Sequence, residues 1–415
     1  MPGDRTITAC RLCGAQRLEV VIDLGAQHLT GVFPKLGAAH PRRAPLRLVR
    51  CADGCGLVQL ADTCNLEEMY GATYGYRSGL NPSMVRHLRA KIARIGGMGV
   101  LRPGDAVIDI GSNDGTSLAA YAQGVYDLIG IDPSGRKFAQ HYPPGARLVP
   151  EFFTGETARA ALGGRKARVV TSFSMFYDLE DPLGFMREVR SVLADDGIWV
   201  FEQSYLPMML AANSLDTICH EHLEYYGMRQ IAWAAERAGL ELVEVDYNDV
   251  NGGSCSVTAR PVQGGQPAHG PTVRAALAEE AAAGLDGAAP YHAFAARSSG
   301  ARRALLDFLE GARARGERVA ALGASTKGNV LLQYAGITPD LVQVVGEVNP
   351  DKFGAMTPGS AIPIRPEAEV LAGGYDHHLV LPWHFRDFFL SRPHLRGHRL
   401  VFPLPQLEVV VGRGA

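Results

Sequence analysis

The stretch Gly104 to Tyr121, GDAVIDIGSNDGTSLAAY, restricts the fold of this chain more than any other segment. Alternating β-formers at 107–110 run into a glycine-rich turn at 111–115, and an Ala-rich segment typical of a helix start follows. A strand, a glycine turn and a helix in this order open a nucleotide-binding α/β unit, because glycine lets the backbone approach a ligand closely. Asn113 stands at the second glycine of the dinucleotide fingerprint G-x-G-x-x-G, so that fingerprint is absent.

The next predicted strand, in YDLIGIDPS, ends in Asp132, about twenty residues after the turn. An acidic side chain at this place can accept hydrogen bonds from both ribose hydroxyls of a bound nucleoside. Together Asp109, the GSNDG turn and Asp132 resemble the class I S-adenosylmethionine (SAM) methyltransferases. The residues that this resemblance implies for SAM binding are Asp109, Gly111, Asn113, Asp114, Asp132 and Pro133.

The segments that follow continue the alternation of strands and helices. ARVVTSF is predicted as a buried strand ending near Ser172, and a helix and another strand come after it. Ligands of such sheets gather at the carboxyl ends of the strands, so Ser172, Phe173 and Tyr177 are pocket candidates. After a short strand, Phe152 and Phe153 stand where an adenine ring could stack, although as core aromatic residues they need no ligand.

Four of the seven cysteines form two close pairs, Cys10-x2-Cys13 and Cys51-x3-Cys55. Cysteines at this spacing can present adjacent thiolates to one tetrahedral Zn²⁺, while the long loop between the pairs folds around it. Four thiolates close the coordination sphere, which predicts a structural zinc. The alternative is that the four are buried small apolar residues.

The segment 216–227, DTICHEHLEYYG, packs two histidines and two glutamates into five positions. His220 and His222 would point in nearly opposite directions on a helix and lack the H-E-x-x-H spacing, which argues against a metal site. His220 and Glu224 could meet one helical turn apart, but no third ligand is evident. Two interpretations remain open: proton transfer by a histidine whose tautomer a carboxylate fixes, and an ordinary hydrogen-bonded polar loop.

Charge and hydropathy exclude several classes of function. The net charge of -2 and the pI near 6.7 give no global attraction to nucleic acid or to an anionic membrane surface. No apolar run of about 18 residues and no signal-peptide pattern are present, so we expect a cytoplasmic protein without a membrane partner. A zinc-ribbon RNA-binding or RNA-modifying protein would need a basic stripe with interleaved aromatic residues, and none is seen. Nothing demands an oligomer, and a monomer is expected.

The composition changes after residue 262, where a stretch rich in Gly, Ala and Pro indicates a linker around an Ala-rich helix. Beyond it, ERVAALGASTKGNVLL repeats the strand, glycine turn and helix, and VVGEVNP adds a second strand. A glycine turn with Lys327 at a helix start suits a phosphate. Trp383 follows a further apolar strand, where it could line the cleft or only cap it.

Taken in order, the cysteine pairs, YGYRS (74–78), IDIGSNDGT, EHLEYY, NGGS (251–254) and GASTKGN (323–329) resemble the sugar C-methyltransferases over nearly the whole chain. The resemblance implies an α/β protein with a class I SAM methyltransferase sheet, an N-terminal zinc-binding domain and a second, C-terminal Rossmann-like domain. It implies SAM and structural Zn²⁺ as cofactors. The predicted domains are zinc-binding 1–75, SAM-binding 76–262, linker and helices 263–300, and nucleotide-sugar anchoring 301–415.

Members of that family methylate carbon 3 of a nucleotide-linked 4-keto-deoxysugar. Methylating carbon requires a carbanion, and the carbon beside a ketone becomes one, as an enolate, once its proton is removed. The family's base falls on His222, with Glu221 orienting or tuning it, while Tyr177 is a donor to the keto oxygen and Tyr76 a substrate-contacting hydroxyl. The alternative activity is O- or N-methylation of a sugar or another small metabolite.

The chain departs from the family pattern at two positions. Cys219 stands where a tyrosine precedes the base, and Tyr177 stands where a histidine is frequent. A phenol can replace an imidazole as a donor, whereas a thiol is a poor substitute for a phenol, so both departures concern the acceptor sugar. Side chains in the C-terminal half could instead pack a Rossmann-like unit that holds no nucleotide. The predicted substrate contacts are Tyr74, Cys219, Asn251, Ser325, Lys327, Asn329, Glu347, Asn349 and Trp383.

Overall fold

The computed structural model of the chain describes residues 4–64 and 77–414, so the predicted substrate contacts Tyr74 and Tyr76 lie outside the described residues. The N-terminal part consists of antiparallel strands joined by turns that carry the paired cysteines. Gly14 and Gly56 follow two of these cysteines with φ of +76° and +80°, a conformation that favours glycine and turns the chain sharply. The strands are β1 (Arg5–Thr6), β2 (Leu18–His28), β3 (Arg43–Cys51), β4 (Val58–Leu60) and β5 (Asp62–Thr63).

The central part alternates strands and helices. Val107 and Ile108, on one of its inner strands, are 0% exposed, because helices cover both faces of the sheet. The helix after Asp181 begins where that side chain accepts a hydrogen bond from the Gly184 N–H. The strands are β6 (Ala106–Ile110), β7 (Asp127–Ile131), β8 (Arg147–Val149), β9 (Ala167–Phe173), β10 (Leu193–Ser204), β11 (Glu224–Tyr225), β12 (Leu240–Asn248) and β13 (Ser254–Pro261), and the helices are α1 (Pro82–Gly97), α2 (Gly135–Phe138), α3 (Gly155–Leu162), α4 (Pro182–Val192), α5 (Leu206–Ala211), α6 (Met228–Arg237) and α7 (Pro271–Ala282).

The central sheet has seven strands in the order β12-β13-β10-β9-β6-β7-β8. Strands β6 to β10 are parallel, whereas β13 and β12 are antiparallel additions at one edge. Strand β6 lies between β7 and β9, so the strand order reverses direction at β6. Open α/β sheets bind ligands at such a switch point, at the carboxyl ends of the strands. The predicted class I methyltransferase arrangement is confirmed.

The C-terminal part is a second α/β unit with a six-stranded sheet in the order β16-β15-β14-β17-β18-β19. All neighbouring pairs are parallel except the last. This agrees with the predicted Rossmann-like half. The strands are β14 (Val319–Leu322), β15 (Val345–Glu347), β16 (Ile364–Pro366), β17 (His377–Val380), β18 (Arg399–Phe402) and β19 (Glu408–Val411), and the helices are α8 (Ala289–Ala314), α9 (Thr326–Ala335), α10 (Glu367–Leu371) and α11 (Arg386–Ser391).

One hydrophobic core joins the N-terminal sheet, the segment before β11 and the C-terminal unit. Leu48, Leu223 and Leu322, one from each of these parts, are all 0% exposed within it. Strand β11 also pairs antiparallel with β4, and the Leu60 N–H donates to the Leu223 carbonyl over 2.8 Å. The histidine cluster of segment 216–227 is therefore packed between the two outer parts of the molecule.

The long helix α8 crosses residue 300, where the sequence predicts the start of the C-terminal domain. Val273 and Ala276 of α7 belong to the central core, whereas Tyr291 and Phe294 of α8 belong to the core of the C-terminal unit. The packing thus changes between these two helices, ahead of the predicted boundary. Within residues 4–64 and 77–414, no helix is both long enough and apolar enough to cross a bilayer.

Candidate active site

The four paired cysteines converge on one point in the N-terminal part. All four sulfur atoms lie within 4.8 Å of one another, and the Cys10–Cys55 and Cys13–Cys51 pairs are each 3.6 Å apart. Thiolates about 2.3 Å from a tetrahedral zinc lie about 3.8 Å from each other, so the cluster has about the size that Zn²⁺ requires.

The surroundings of this cluster also suit a metal. A Cβ atom added at Gly54 would come within 2.6 Å of the Cys13 sulfur and 2.9 Å of the Cys51 sulfur, so only glycine leaves room there. Burial raises the pKa of Cys51 to about 11, and the bond with Cys10 raises the pKa of Cys55. Four thiolates at these distances need a cation to offset their mutual repulsion, and Cys10, Cys13, Cys51 and Cys55 together would hold it.

The glycine turn after β6 forms the predicted SAM site at the switch point of the central sheet. The Asn113 N–H donates to Asp132 Oδ2 over 2.8 Å, so the turn is tied to the end of β7. A Cβ atom at Gly111 would meet Met175 Cγ at 3.1 Å, so the loop after β9 approaches the turn closely. Asp132 thus contacts this turn, and Pro133 follows it in the chain, while SAM binding by both residues stays a prediction. The geometry suits a nucleoside whose ribose hydroxyls reach the Asp132 carboxylate.

Segment 77–80 lies over the same turn. The Ser78 N–H donates to the Asn113 side chain over 3.0 Å, and the Gly79 N–H donates to Asp114 Oδ2 over 2.9 Å. Arg77 forms an ion pair with Asp114 at 3.3 Å. Asp114, itself a residue of the glycine turn, therefore holds segment 77–80 over the predicted SAM site.

Asp109, at the carboxyl side of β6, is buried beneath the turn. Thr171 Oγ1 donates to its Oδ1 over 2.5 Å. Burial raises the pKa of Asp109 to about 7, and the nearby Asp132 carboxylate acts in the same direction. The ligand-free protein thus keeps a carboxyl group here that is ready to lose its proton near neutrality.

Replacing Asp109 by Asn is expected to stabilise the ligand-free protein increasingly as the pH rises from 5 to 7. The folded pKa of about 7 lies above the ordinary value of 3.8, so folding binds a proton in this window. The stability of the native protein therefore falls by up to about 1.4 kcal/mol per pH unit from this group, and the variant avoids the loss. Urea unfolding of both proteins at pH 5, 6 and 7 measures the difference, in which the other titrating groups cancel. A difference that does not change with pH would contradict the assignment.

Four further residues were predicted to contact SAM. Phe152 is 53% exposed and free to stack, whereas Phe153 packs on Phe185 with ring centroids 5.1 Å apart. The Ser172 hydroxyl is 0% exposed and accepts the Trp199 indole N–H over 3.0 Å, so this side chain is engaged in the core. Phe173 packs on the other face of the central sheet from Phe153 and Trp199.

His222 lies in a turn of the segment before β11, not on a helix. Its Nδ1 is 3.3 Å from the Thr217 carbonyl oxygen. Because a carbonyl only accepts, Nδ1 must carry the hydrogen, which leaves Nε2 of the neutral ring as a proton acceptor. Burial lowers the pKa of His222 to about 3, and the Lys327 ammonium adds to this effect. The imidazole is therefore neutral at physiological pH, with its Nε2 lone pair unprotonated.

The other charged residues of the cluster have different partners. His220 is 1% exposed, and its Nε2 is 3.2 Å from the Ala44 carbonyl, so it joins the segment to β3. Glu221 accepts a bond from Thr30 Oγ1 over 3.5 Å. Glu224 forms a buried ion pair with Arg11 at 3.7 Å. The partner of His222 Nδ1 is thus a backbone carbonyl, and orientation of the imidazole by Glu221 stays a prediction.

Tyr177 and Cys219 flank the predicted base. The rings of Tyr177 and His222 have centroids 4.3 Å apart at an angle of 53°. Cys219 is 2% exposed, and burial raises the pKa of its thiol well above the ordinary value. The Tyr177 ring therefore lies beside the imidazole, while the Cys219 thiol stays neutral.

Lys327 belongs to the same cluster, although it comes from the C-terminal unit. Its ammonium donates to the Asn251 carbonyl in the turn between β12 and β13. Asn251 itself has a φ of +57°, in the left-handed region. Trp383 Nε1 donates to Asp216 Oδ2 over 2.8 Å, and the Asp216 carboxylate acts on Lys327 by raising its pKa against the effect of burial. Residues from three separate segments thus meet beside His222.

Of the other predicted anchors of the C-terminal unit, one is buried against the N-terminal part and the rest lie at the start of α9 or the end of β15. Asn329 is 0% exposed and donates to the Thr30 carbonyl over 3.0 Å, so it joins α9 to the N-terminal part and does not reach a cleft. Ser325 Oγ accepts the Gly328 N–H at the start of α9 over 3.0 Å and retains its own hydrogen to donate. Glu347 accepts the N–H groups of Val348 and Asn349 at the end of β15.

Two groups of this site were not singled out from the sequence: the buried carboxylate of Asp216 and the backbone carbonyl of Thr217. His384, which the sequence places with Trp383 after an apolar strand, has an imidazole Nδ1 that is buried without a partner among the described residues. The only available signal was that Asp216 and Thr217 directly precede the histidine cluster. A backbone carbonyl has no sequence signature at all.

Three family models match the chain in succession. A zinc binding domain matches residues 10–70, a methyltransferase domain matches residues 80–245, and a C-methyltransferase C-terminal domain matches residues 249–405. The first range contains the four converging cysteines, and the second contains the glycine turn and His222. The third contains Lys327.

A whole-chain relative is the C-methyltransferase NovU of Streptomyces niveus, which is 30% identical over 98% of this chain and 97% of its own length. Among solved structures, the CcbJ methyltransferase of Streptomyces caelestis is 16% identical over 42% of this chain and 90% of that chain, with a TM-score of 0.33. LepI in complex with SAM is 15% identical over 38% of this chain and 43% of that chain, also with a TM-score of 0.33. The match thus spans less than half of LepI, and both structural likenesses are too distant to bear on function.

Proposed function

Because the chain belongs to the C-methyltransferase family and is a SAM-dependent methyltransferase with a zinc site, we propose that it methylates carbon 3 of a nucleotide-linked 4-keto-deoxysugar. The observation that supports this most directly is the His222 imidazole. Its Nδ1 hydrogen is held by the Thr217 carbonyl, and its neutral Nε2 is left to accept a proton.

Proton removal is the step that the site must provide. A hydrogen on the carbon beside a ketone is acidic enough for a positioned base, and such a base contributes roughly 10²- to 10⁴-fold in rate. His222 Nε2 takes this proton from carbon 3, and the electron pair of the broken C–H bond moves toward the keto oxygen. Tyr177, whose ring packs 4.3 Å from the imidazole, is the proposed phenol donor to the substrate at this point.

The SAM side of the cleft is formed by the turn after β6. Bound SAM would supply the methyl group that the nucleophilic carbon receives. Asp132 would accept the ribose hydroxyls, and Phe152, 53% exposed, would stack on the adenine ring. Gly111 and Asn113 shape the turn through backbone conformations with φ of +70° and +50°.

The nucleotide handle of the substrate would bind in the C-terminal unit. Ser325 at the start of α9 retains a hydroxyl donor, and the helix N-terminus favours an anion such as phosphate. Glu347 ends the second strand of this unit, the position at which an acidic group in such folds accepts ribose hydroxyls. Asn349 lies two residues further along the same loop.

The test is incubation of the zinc-loaded protein with SAM and a panel of nucleotide-linked 4-keto-deoxysugars, followed by mass spectrometry and NMR. Gain of one methyl group on carbon 3 is expected. A second incubation in D₂O without SAM should place deuterium at carbon 3, because the base works before methyl transfer. A methyl group on oxygen or nitrogen, with no exchange at carbon, would overturn the proposal in favour of an O- or N-methyltransferase.

A further inference from the structure

The contacts of Lys327 differ from those of a phosphate anchor. Its ammonium is turned toward the turn between β12 and β13, where it donates to the Asn251 carbonyl. A Cβ atom at Gly252 would lie 3.9 Å from Lys327 Nζ and 3.8 Å from His384 Cβ. The ammonium therefore lies inside the junction of the central and C-terminal units.

The ionisable groups that face this ammonium come from two segments. Asp216 and His222 lie in the segment before β11, and His384 follows β17. Burial lowers the pKa of His222 and His384, and the Lys327 ammonium adds to both effects. Burial also lowers the pKa of Lys327, which the Asp216 carboxylate opposes, so all four groups lie within reach of one another's charge. A cation thus stands beside the proposed base and is balanced by one buried carboxylate.

We propose that Lys327 donates a hydrogen bond to the enolate oxygen formed during proton removal, and that Asp216 is its positioning residue. This inference rests on the proposed function. His222 takes the proton from carbon 3, carbon 3 and carbon 4 become doubly bonded, and the carbonyl electrons move onto the oxygen that Lys327 holds. When carbon 3 attacks the methyl group the carbonyl re-forms, the sulfur leaves with its bonding pair, and the imidazolium returns its proton to solvent.

The arrangement meets the electrostatic demand of the reaction. Negative charge develops on the oxygen only as the C–H bond breaks, so a fixed cation there stabilises the transition state more than the ground state. The Asp216 carboxylate is itself held by the Trp383 indole at 2.8 Å, which fixes the charge that faces the lysine. Loss of one such donor typically costs about 10²- to 10³-fold in rate.

The experiment compares Lys327→Met with the double variant Lys327→Met/Asp216→Asn, which avoids an unpaired buried carboxylate. Both are tested for carbon-3 exchange in D₂O and for the affinity of the nucleoside diphosphate alone, by calorimetry. Exchange is expected to fall at least about 100-fold in both, with diphosphate affinity within about twofold of the native value. Lys352→Met is the matched comparison, because Lys352 Nζ lies 3.7 Å from Glu347 and donates to the Ala324 carbonyl in the glycine turn of the proposed nucleotide site. It should weaken diphosphate binding, which is the effect that Lys327→Met is expected to lack.

A separate readout tests the positioning role of Asp216. Because its carboxylate opposes the lowering of the Lys327 pKa by burial, Asp216→Asn should lower that pKa further and shift the alkaline limb of the exchange rate to lower pH. An unshifted limb would overturn that role. If Lys327→Met exchanges at the native rate, or loses diphosphate affinity tenfold with exchange intact at saturation, the inference is overturned and the proposed function stands. If the native protein exchanges no acceptor of the panel, both fall together.

Discussion

Replacing His222 by Asn is expected to lower carbon-3 exchange and methyl transfer by about 10³-fold, while the Kd for SAM stays within about twofold. The asparagine amide can occupy the place of Nδ1 and donate to the Thr217 carbonyl, so the turn should keep its shape. It cannot accept the substrate proton as an imidazole Nε2 does. Exchange in D₂O, turnover with SAM and SAM binding by calorimetry measure the three quantities separately.

His220→Gln is the matched control for this prediction. His220 lies two positions away, but its Nε2 contacts the Ala44 carbonyl at 3.2 Å, and the glutamine Nε2 can make the same bond. This variant is expected to retain turnover, with at most a small loss in the free energy of unfolding. Loss of SAM affinity in His222→Asn equal to its loss of turnover would show that His222 supports the structure and does not act as the base.

Removing the zinc is expected to abolish turnover and unfold the N-terminal sheet. Structural zinc sites contribute on the order of 10 kcal/mol to the fold that holds them. Cys55 lies three residues before Val58 of β4, which pairs with Tyr225 of β11, and Tyr225 lies three residues after His222. Loss of the metal should therefore release the segment that carries the base. Cys13→Ser, metal analysis, circular dichroism and hydrogen exchange at 222–225 test this chain of contacts.

Cys64→Ser is the control for zinc loss. Cys64 is 3% exposed and lies in a small apolar cluster with Leu29 and Ala44, away from the four converging sulfurs. Its replacement should keep the zinc content and the turnover. A Cys13→Ser protein that lacks zinc yet methylates at the native rate would show that the N-terminal sheet holds the segment without its metal.

Much of the fold could be predicted because its signals are local. The buried run before Gly111, the glycine turn and Asp132 occur within about thirty residues, the span of one strand–helix–strand unit. The cysteine pairs are recognisable because each places two ligands within one turn of the chain. Asn329 shows where such reasoning fails: it stands at a helix start after a glycine turn, yet its amide is turned to the Thr30 carbonyl of another part of the chain.

The four converging cysteines and the glycine turn at the switch point of the central sheet could be predicted from the amino-acid sequence, since each depends on residues close together in the chain. Which atoms meet at His222 depends on the tertiary packing and could not be predicted. Thr217 holds its Nδ1, and the ammonium of Lys327 arrives from more than one hundred residues away in the chain. The physical reason is that burial and charge at a junction of three parts depend on how their surfaces pack, and that packing has no local pattern in the sequence.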